Sequence, residues 1–129
     1  MLRYADVLLC YAECLNELNH TSDAIEVVNQ VRNRAWGFQI PDDKKWSTMS
    51  QDEFRKKIMD ERIRELFGEN WRRFDLIRTG NFVAYVKARN KWAKRSGTIS
   101  KIHERYPIPN EEIEQNEDMT SDDQNEGYR

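Results

Sequence analysis

A chain of 129 residues, 34% charged and 38% hydrophobic, is sized for one domain with its own core and is too polar for a bundle of membrane spans. No run approaches the roughly eighteen apolar residues that cross a bilayer, and no basic, apolar, small-residue leader opens the chain. The net charge of −2 hides a dipole along the sequence, with eight bases against Asp75 alone from Arg72 to Arg95, then eight acids and no base from Glu111 to Glu126.

Taken in order, Leu2 to Asn19 reads as a helix, with Tyr4, Val7, Leu8, Tyr11, Leu15 and Leu18 recurring at three- and four-residue steps as its apolar stripe. Cys10 and Cys14 fall one turn apart on it. A rigid helix holds them too far apart for an unstrained disulfide, and His20 and His103 do not complete a zinc set, so both read as small buried hydrophobes. The polar gap at 19–22 leads to a second helix ending near Arg34, with Ala24, Ile25, Val28, Val31 and Ala35 inward. A gap this short forces the pair antiparallel. Ala12 and Ala24, twelve apart, take the close-approach positions of a tetratricopeptide hairpin. One such unit cannot bury both of its faces.

The polar connection at 37–50 contains Pro41 and Trp46. Ser50 and Glu53 form a capping box for a third helix reaching about Phe67, with Phe54, Ile58, Arg62 and Leu66 on one strip and Met59, Ile63 and Phe67 on the next. Gly68 stops it. A short helix is expected from about Asn70 to Thr79, and one more from Phe82 to about Arg95. Beyond Ser96 helical periodicity fades. Pro107 and Pro109 fix an extended stretch, Asn110 to Gln115 suits a single turn, and the acidic remainder is ordered only where it lies back on the helices. The fold class is therefore all-α: one domain over 1–129, with a tetratricopeptide-like hairpin at 1–35, further helices at 51–95 and an extended tail at 96–129.

The stretch Glu61–Gly80 is the most informative. Arg62, Arg64, Arg72, Arg73 and Arg78 alternate there with Glu61, Glu65, Glu69 and Asp75 among seven large apolar side chains. Charge and bulk together point to guanidinium–carboxylate pairs packed under a hydrophobic layer, where a planar fork favours Arg over Lys. The expected structural ion-pair network comprises Asp6, Glu13, Arg32, Arg34, Glu61, Arg62, Glu65, Asp75 and Arg78. Its rival is a ligand surface formed by Arg72, Arg73 and Arg78.

Glu61-Arg62-x-Arg64-Glu65-Leu66, followed by Arg72-x-Phe74-Asp75-Leu76-x-Arg78-x-Gly80, resembles the late signature of the SusD/RagB family of glycan-capture lipoproteins. Arg3 to Leu9 with Tyr11-Ala12-Glu13 is similar to one family helix, and Ala24-Ile25, Asn29, Val31-Arg32 and Arg34-Ala35 to its partner. Tyr106-Pro107-Ile108-Pro109, Glu112-Ile113, Asn116, Gln124-Asn125 and Gly127-Tyr128 are similar to the family's closing segment. The resemblance covers almost the whole chain and implies the C-terminal helical region of a longer precursor. By that resemblance, the full protein is a surface-exposed outer-membrane lipoprotein that lids a SusC-like TonB-dependent transporter and passes oligosaccharides to it. The sugar is bound mainly by segments other than these, and this region is a non-enzymatic scaffold.

Bland and functional readings compete at each remaining feature. The chain shows no phosphate loop, dinucleotide fingerprint, zinc-protease helix or nucleophile elbow. Glu61 and Glu65 lie one turn apart, but arginines crowd them and hold both ionised, so no catalytic residue, metal or cofactor is expected. For carbohydrate contact the candidates are Trp46, in a loop, and Trp92, in a basic helix, although packing is the commoner role for either. Trp36 and Trp71 read as core. The basic block with Trp71, Phe74, Tyr85 and Trp92 lacks a nucleic-acid motif, so its expected partner is the acidic tail or another protein. The alternative overall is a free-standing helical adaptor for a peptide or an acidic protein. An uncovered flank of the first two helices would favour a homodimer.

Overall fold

The computed structural model describes residues 2–128, and among them every regular element is helical. Seven α-helices follow in order: α1 (Tyr4–Glu17), α2 (Thr21–Ala35), α3 (Gln51–Glu65), α4 (Trp71–Arg78), α5 (Phe82–Arg89), α6 (Lys91–Ser96) and α7 (Asn110–Gln115), with short 3-10 turns between them. The stretch read from sequence as one domain gathers into two compact units, Met1–Arg72 and Arg73–Arg129.

In the first unit α1 and α2 form the antiparallel hairpin. The chain reverses at Asn19, whose φ of 66° is one that asparagine tolerates better than most residues. Ala12 and Ala24 are both fully buried, so the two backbones approach where side chains are smallest. Leu9, Val28, Val31, Phe54 and Ile58 fill the space between α1, α2 and α3.

The buried face of α1 is not the stripe of large apolar residues. Ala5, Asp6, Leu9, Ala12 and Asn16 point inward, while Tyr4, Val7, Tyr11 and Leu18 are exposed, and Leu8 and Leu15 are half-buried against the core. Small and polar side chains win this face because α2 and α3 supply both close backbone and polar partners. The Asn16 side-chain N–H donates to the Gln51 carbonyl at 3.3 Å, Thr21 donates its hydroxyl to Asn16 Oδ1 at 2.9 Å, and Gln51 returns an N–H to the Asn16 carbonyl. Turning the large residues inward would break these bonds. Cys10 and Cys14 are exposed rather than buried as whole residues, although the Cys10 sulfur reaches in to Arg62.

On α2, Val27 joins Ala24, Ile25, Val28 and Val31 in the buried set, whereas Ala35 is exposed. Ser50 caps α3, its Oγ accepting from the Glu53 N–H at 3.2 Å. Phe54, Ile58, Glu61 and Arg62 form the buried face of α3, with Leu66 just beyond it. Phe67, expected on a second inward strip, is 85% exposed. Gly68 follows with φ 79°, a left-handed turn that a side chain would strain.

The connection from 36 to 50 reverses two tryptophan expectations. Trp36 is half exposed, and Trp46 is 8% exposed, set edge-on to Phe54 with ring centroids 5.6 Å apart. Asn29 on α2 explains the second. Its side chain accepts from the Trp46 N–H at 2.8 Å and donates to the Trp46 carbonyl at 2.9 Å, so one amide satisfies both main-chain groups and holds the loop down. Asn33 does likewise for the Ile40 N–H at 3.1 Å.

In the second unit, the single helix expected from Phe82 to about Arg95 is interrupted at Asn90. The Asn90 backbone is extended (φ −87°, ψ 115°), and its Oδ1 accepts from the Trp92 and Ala93 N–H groups at 2.9 and 3.0 Å. The side chain thus starts a new helix, α6, instead of continuing α5. The tail folds back through another two-point amide contact. Gln124 Oε1 accepts from the Ile108 N–H at 2.7 Å while its Nε2 donates to the Ile108 carbonyl at 2.8 Å, and Asn125 donates to the Tyr106 carbonyl. Pro107 and Pro109 leave Ile108 as the residue between them with an N–H to pair.

Candidate functional site

The first unit concentrates its charge where α3 meets the hairpin. Arg62 is 3% exposed. Its Nη2 lies 2.9 Å from Asp6 Oδ1 and its Nε 3.7 Å from Glu13 Oε1, and its Nη1 donates to Cys10 Sγ at 3.3 Å. Arg32 on α2 reaches Glu61 Oε2 at 2.7 Å and also donates to the Lys44 carbonyl at 2.7 Å, tying the loop to the same cluster. Glu65 Oε1 receives Arg34 at 2.7 Å and Arg3 at 2.9 Å, and Arg3 continues to Glu69 at 2.6 Å. Arg64 lies 3.2 Å from Glu61.

Three helices are thus joined by forks, α1 to α3 through Arg62 and Asp6, and α2 to α3 through Arg32, Arg34, Glu61 and Glu65. Arg3 and Glu69 also belong to this cluster, although sequence reasoning left them out. A signal existed: Arg3 stands three residues before Asp6 and so shares its side of the helix start. Hydrogen bonds donated to Glu69 and then Glu65 push the Arg3 guanidinium above its already high ordinary value. Burial, the largest influence, pushes the Cys10 thiol up, although Arg62 beside it pulls the other way. Chemically the cluster is a clamp, and each buried carboxylate in it already meets at least one guanidinium.

Asp75 and Arg78 pair within α4 at 2.8 Å, and Asp75 is buried. The three arginines of the rival ligand-surface reading, Arg72, Arg73 and Arg78, direct hydrogen bonds to main-chain carbonyls and to Asp75. Arg72 donates to the Met59 carbonyl at 3.0 Å within the first unit. Arg73, in the second unit, donates to the His103 carbonyl, and its guanidinium lies 4.8 Å from the Phe82 ring and 4.4 Å from the Tyr106 ring. Stacked cations of this kind hold structure together.

Of the two tryptophan candidates, Trp46 is buried in the core, with Lys57 and Arg32 at 5.1 and 5.9 Å from its ring centroid. Trp92 is 76% exposed on α6. Several concavities of about 450 to 540 Å³ mark the surface. A groove of about 490 Å³ runs between α1 and the end of α2, lined by Tyr4, Leu8, Val31, Arg34 and Phe38 among others. Another of about 450 Å³ lies beside α7, lined by Asn110, Ile113, Met119, Gln124 and Tyr128. Among the described residues, no group of three or more His, Cys, Asp or Glu side chains is placed to hold a metal ion, and no helix is long and apolar enough to cross a membrane.

The chain is similar to SusD-like protein P25 of Formosa agariphila, 40% identical over 133 positions that cover all of this chain and 24% of that protein. It is 36% identical to SusD-like protein P38 of the same organism, over 90% of this chain and 24% of that protein. It is 30% identical to the starch-binding protein SusD of Bacteroides thetaiotaomicron, over 100% of this chain and 21% of that protein. It therefore spans about a quarter of the length of these curated relatives. No solved structure matches it. The SusD family matches over residues 1–128, a span that takes in the hairpin, the arginine–carboxylate clamp and the folded-back tail, and the chain belongs to that family.

Proposed function

We propose that this chain is the helical scaffold of a SusD-type oligosaccharide-capture protein, which sits on the outer face of the outer membrane and lids a SusC-like TonB-dependent transporter. The observation that carries the reading is how the charges of Glu61–Gly80 are used. Its forks and carboxylates are spent on one another and on main-chain carbonyls, which makes a stiff frame and leaves no acid–base pair poised for hydrolysis. The scaffold performs no chemistry, and the sugar is held mainly by the rest of a family-length protein.

The exposed apolar residues of α1 support the scaffold reading over a free-standing adaptor, whose groove would be polar. Tyr4, Val7, Tyr11 and Leu18 form a strip that a single hairpin unit leaves bare. Fractionation of the source cells with an affinity tag on the protein tests the assignment. Recovery in the outer-membrane fraction together with a TonB-dependent barrel is expected. Recovery in the soluble fraction without a barrel would refute it. The isolated chain should sediment as a self-associated species that Tyr11→Glu returns to monomer.

A further inference from the structure

The second unit carries a run of cations without an intervening acid. Between Phe82 and Ile102 stand Lys87, Arg89, Lys91, Lys94, Arg95 and Lys101, with no acid among them. The first five are all exposed, on α5 and α6. Of the two expected sources of neutralisation, the acidic tail or a partner, the tail forms no ion pair with these five among the described residues, and neither does any other carboxylate there. Arg89 instead lies over Tyr85, 4.0 Å from the ring centroid. On α6, Lys91, Lys94 and Arg95 fall at three- and four-residue spacing and so share a face, and Trp92 stands one turn before Arg95. Asn90 fixes where that turn begins by capping it. Like charges one turn apart cost stability, and so does a solvated indole, yet this surface keeps both.

We propose that α5–α6 is a binding face for an anionic oligosaccharide, one bearing uronate carboxylates or sulfate groups, with its anions on Lys91, Lys94 and Arg95 and a sugar ring on Trp92. The inference rests on the reading of the protein as an oligosaccharide-capture scaffold and adds to it the chemical class of ligand. A pyranose presents polarised C–H groups on one face, which suit the electron-rich face of an indole. A carboxylate or sulfate accepts forked N–H donation from Arg95 and point-charge attraction from the two lysines. Nucleic acids also combine anions with flat rings, but no recognised nucleic-acid motif accompanies these helices, so they become an arm of the test.

Calorimetric titration of the full chain with an oligogalacturonate, a sulfated galactan oligosaccharide, a neutral malto-oligosaccharide and duplex DNA decides the matter. It is run at low and at raised salt, on the parent, on Trp92→Ala and on Lys91→Gln/Lys94→Gln/Arg95→Gln. Circular dichroism confirms that the variants, all at exposed positions, stay folded. Salt-weakened binding of an anionic oligosaccharide is expected, reduced roughly tenfold or more in each variant, the scale of losing a stacked ring or several ion contacts. Unchanged binding in either variant overturns the proposal, as does tighter binding of DNA than of either anionic sugar. Equal, salt-insensitive binding of the neutral sugar overturns it while leaving the capture reading intact. Failure of every sugar to bind also overturns it, and the capture reading is then judged by whether the transporter co-purifies.

Discussion

Removing the Arg62 guanidinium puts the clamp to its most direct test. Arg62 and Asp6 are 3% and 4% exposed, and their nearest atoms lie 2.9 Å apart. At an effective dielectric of about 20, opposite charges at that distance attract by on the order of 5 kcal/mol, set against a desolvation cost of several kcal/mol per ion. The intact pair is therefore close to break-even, while half of it is not. Arg62→Met keeps most of the aliphatic stem but leaves Asp6 buried without its cation, so it should cost about 3–5 kcal/mol. Asp6→Leu should also destabilise, but by less, because Glu13 still lies 3.7 Å from the guanidinium. The double variant Asp6→Leu/Arg62→Met removes both charges and should return to within about 1.5 kcal/mol of the parent, because a hydrophobic pair of similar volume replaces a buried ion pair with little loss. Urea unfolding of the four proteins, followed by circular dichroism, yields the coupling energy directly. Two additive single losses, or an Arg62→Met cost below about 1 kcal/mol, would show that the fork is not held in low-dielectric surroundings and would remove the physical basis of the clamp.

Two further outcomes follow from local geometry. Gly127 has φ 87°, and a Cβ there would meet Ile102 at 2.8 Å, so Gly127→Ala should loosen the folded-back tail. Faster amide exchange at Ile108, whose N–H Gln124 holds, is the readout, and unchanged protection would refute it. Glu17 is held below its ordinary value of 4.5, chiefly by hydrogen bonds from Arg55 at 2.8 and 2.7 Å. A depressed carboxylate contributes stability that is present above its unfolded value and lost as pH falls through the folded one, so the link between α1 and α3 should weaken below about pH 4.5. Carboxyl-carbon chemical shifts should place the Glu17 midpoint under 4.5 in the parent and return it to the ordinary range in Arg55→Gln.

Helix positions were legible because start and stop signals are local. Ser50 before α3 acts through its own hydroxyl, and Gly68 after it and Gly80 after α4 through their left-handed backbone. Which side of a helix faces inward is a tertiary question. On α1 the large residues advertised an apolar stripe, but Ala5 and Ala12 made the opposite face the one a second helix could approach, and Asp6 and Asn16 had partners only there. Hydrophobic periodicity measures bulk, and here small size and a distant charge outweighed it. The break at Asn90 was missed for a related reason. Asparagine within a run of helix formers reads as tolerated until its side chain captures the next two amides.

Arginine among aromatics signals a packed partner: Arg62, with Arg32 and Arg34 of α2, has an acidic one, while Arg72 and Arg73 take main-chain carbonyls. Their exact partners were not legible, since they depend on how far α3 rises along the hairpin. Neither was the fate of Trp46. A tryptophan in a polar loop reads as exposed because the loop's own residues cannot cover it. What covers it lies elsewhere in the sequence: Phe54 and Lys57 on α3, and Arg32 and Asn29 on α2. Asn29 is the residue to look for in such cases. A side-chain amide two turns inside an amphipathic helix has a donor and an acceptor to place, and a peptide group crossing at that point takes both. The same two-point contact recurs where Gln124 meets Ile108, so in this chain an amide opposite an otherwise irregular segment marks where that segment is fastened down.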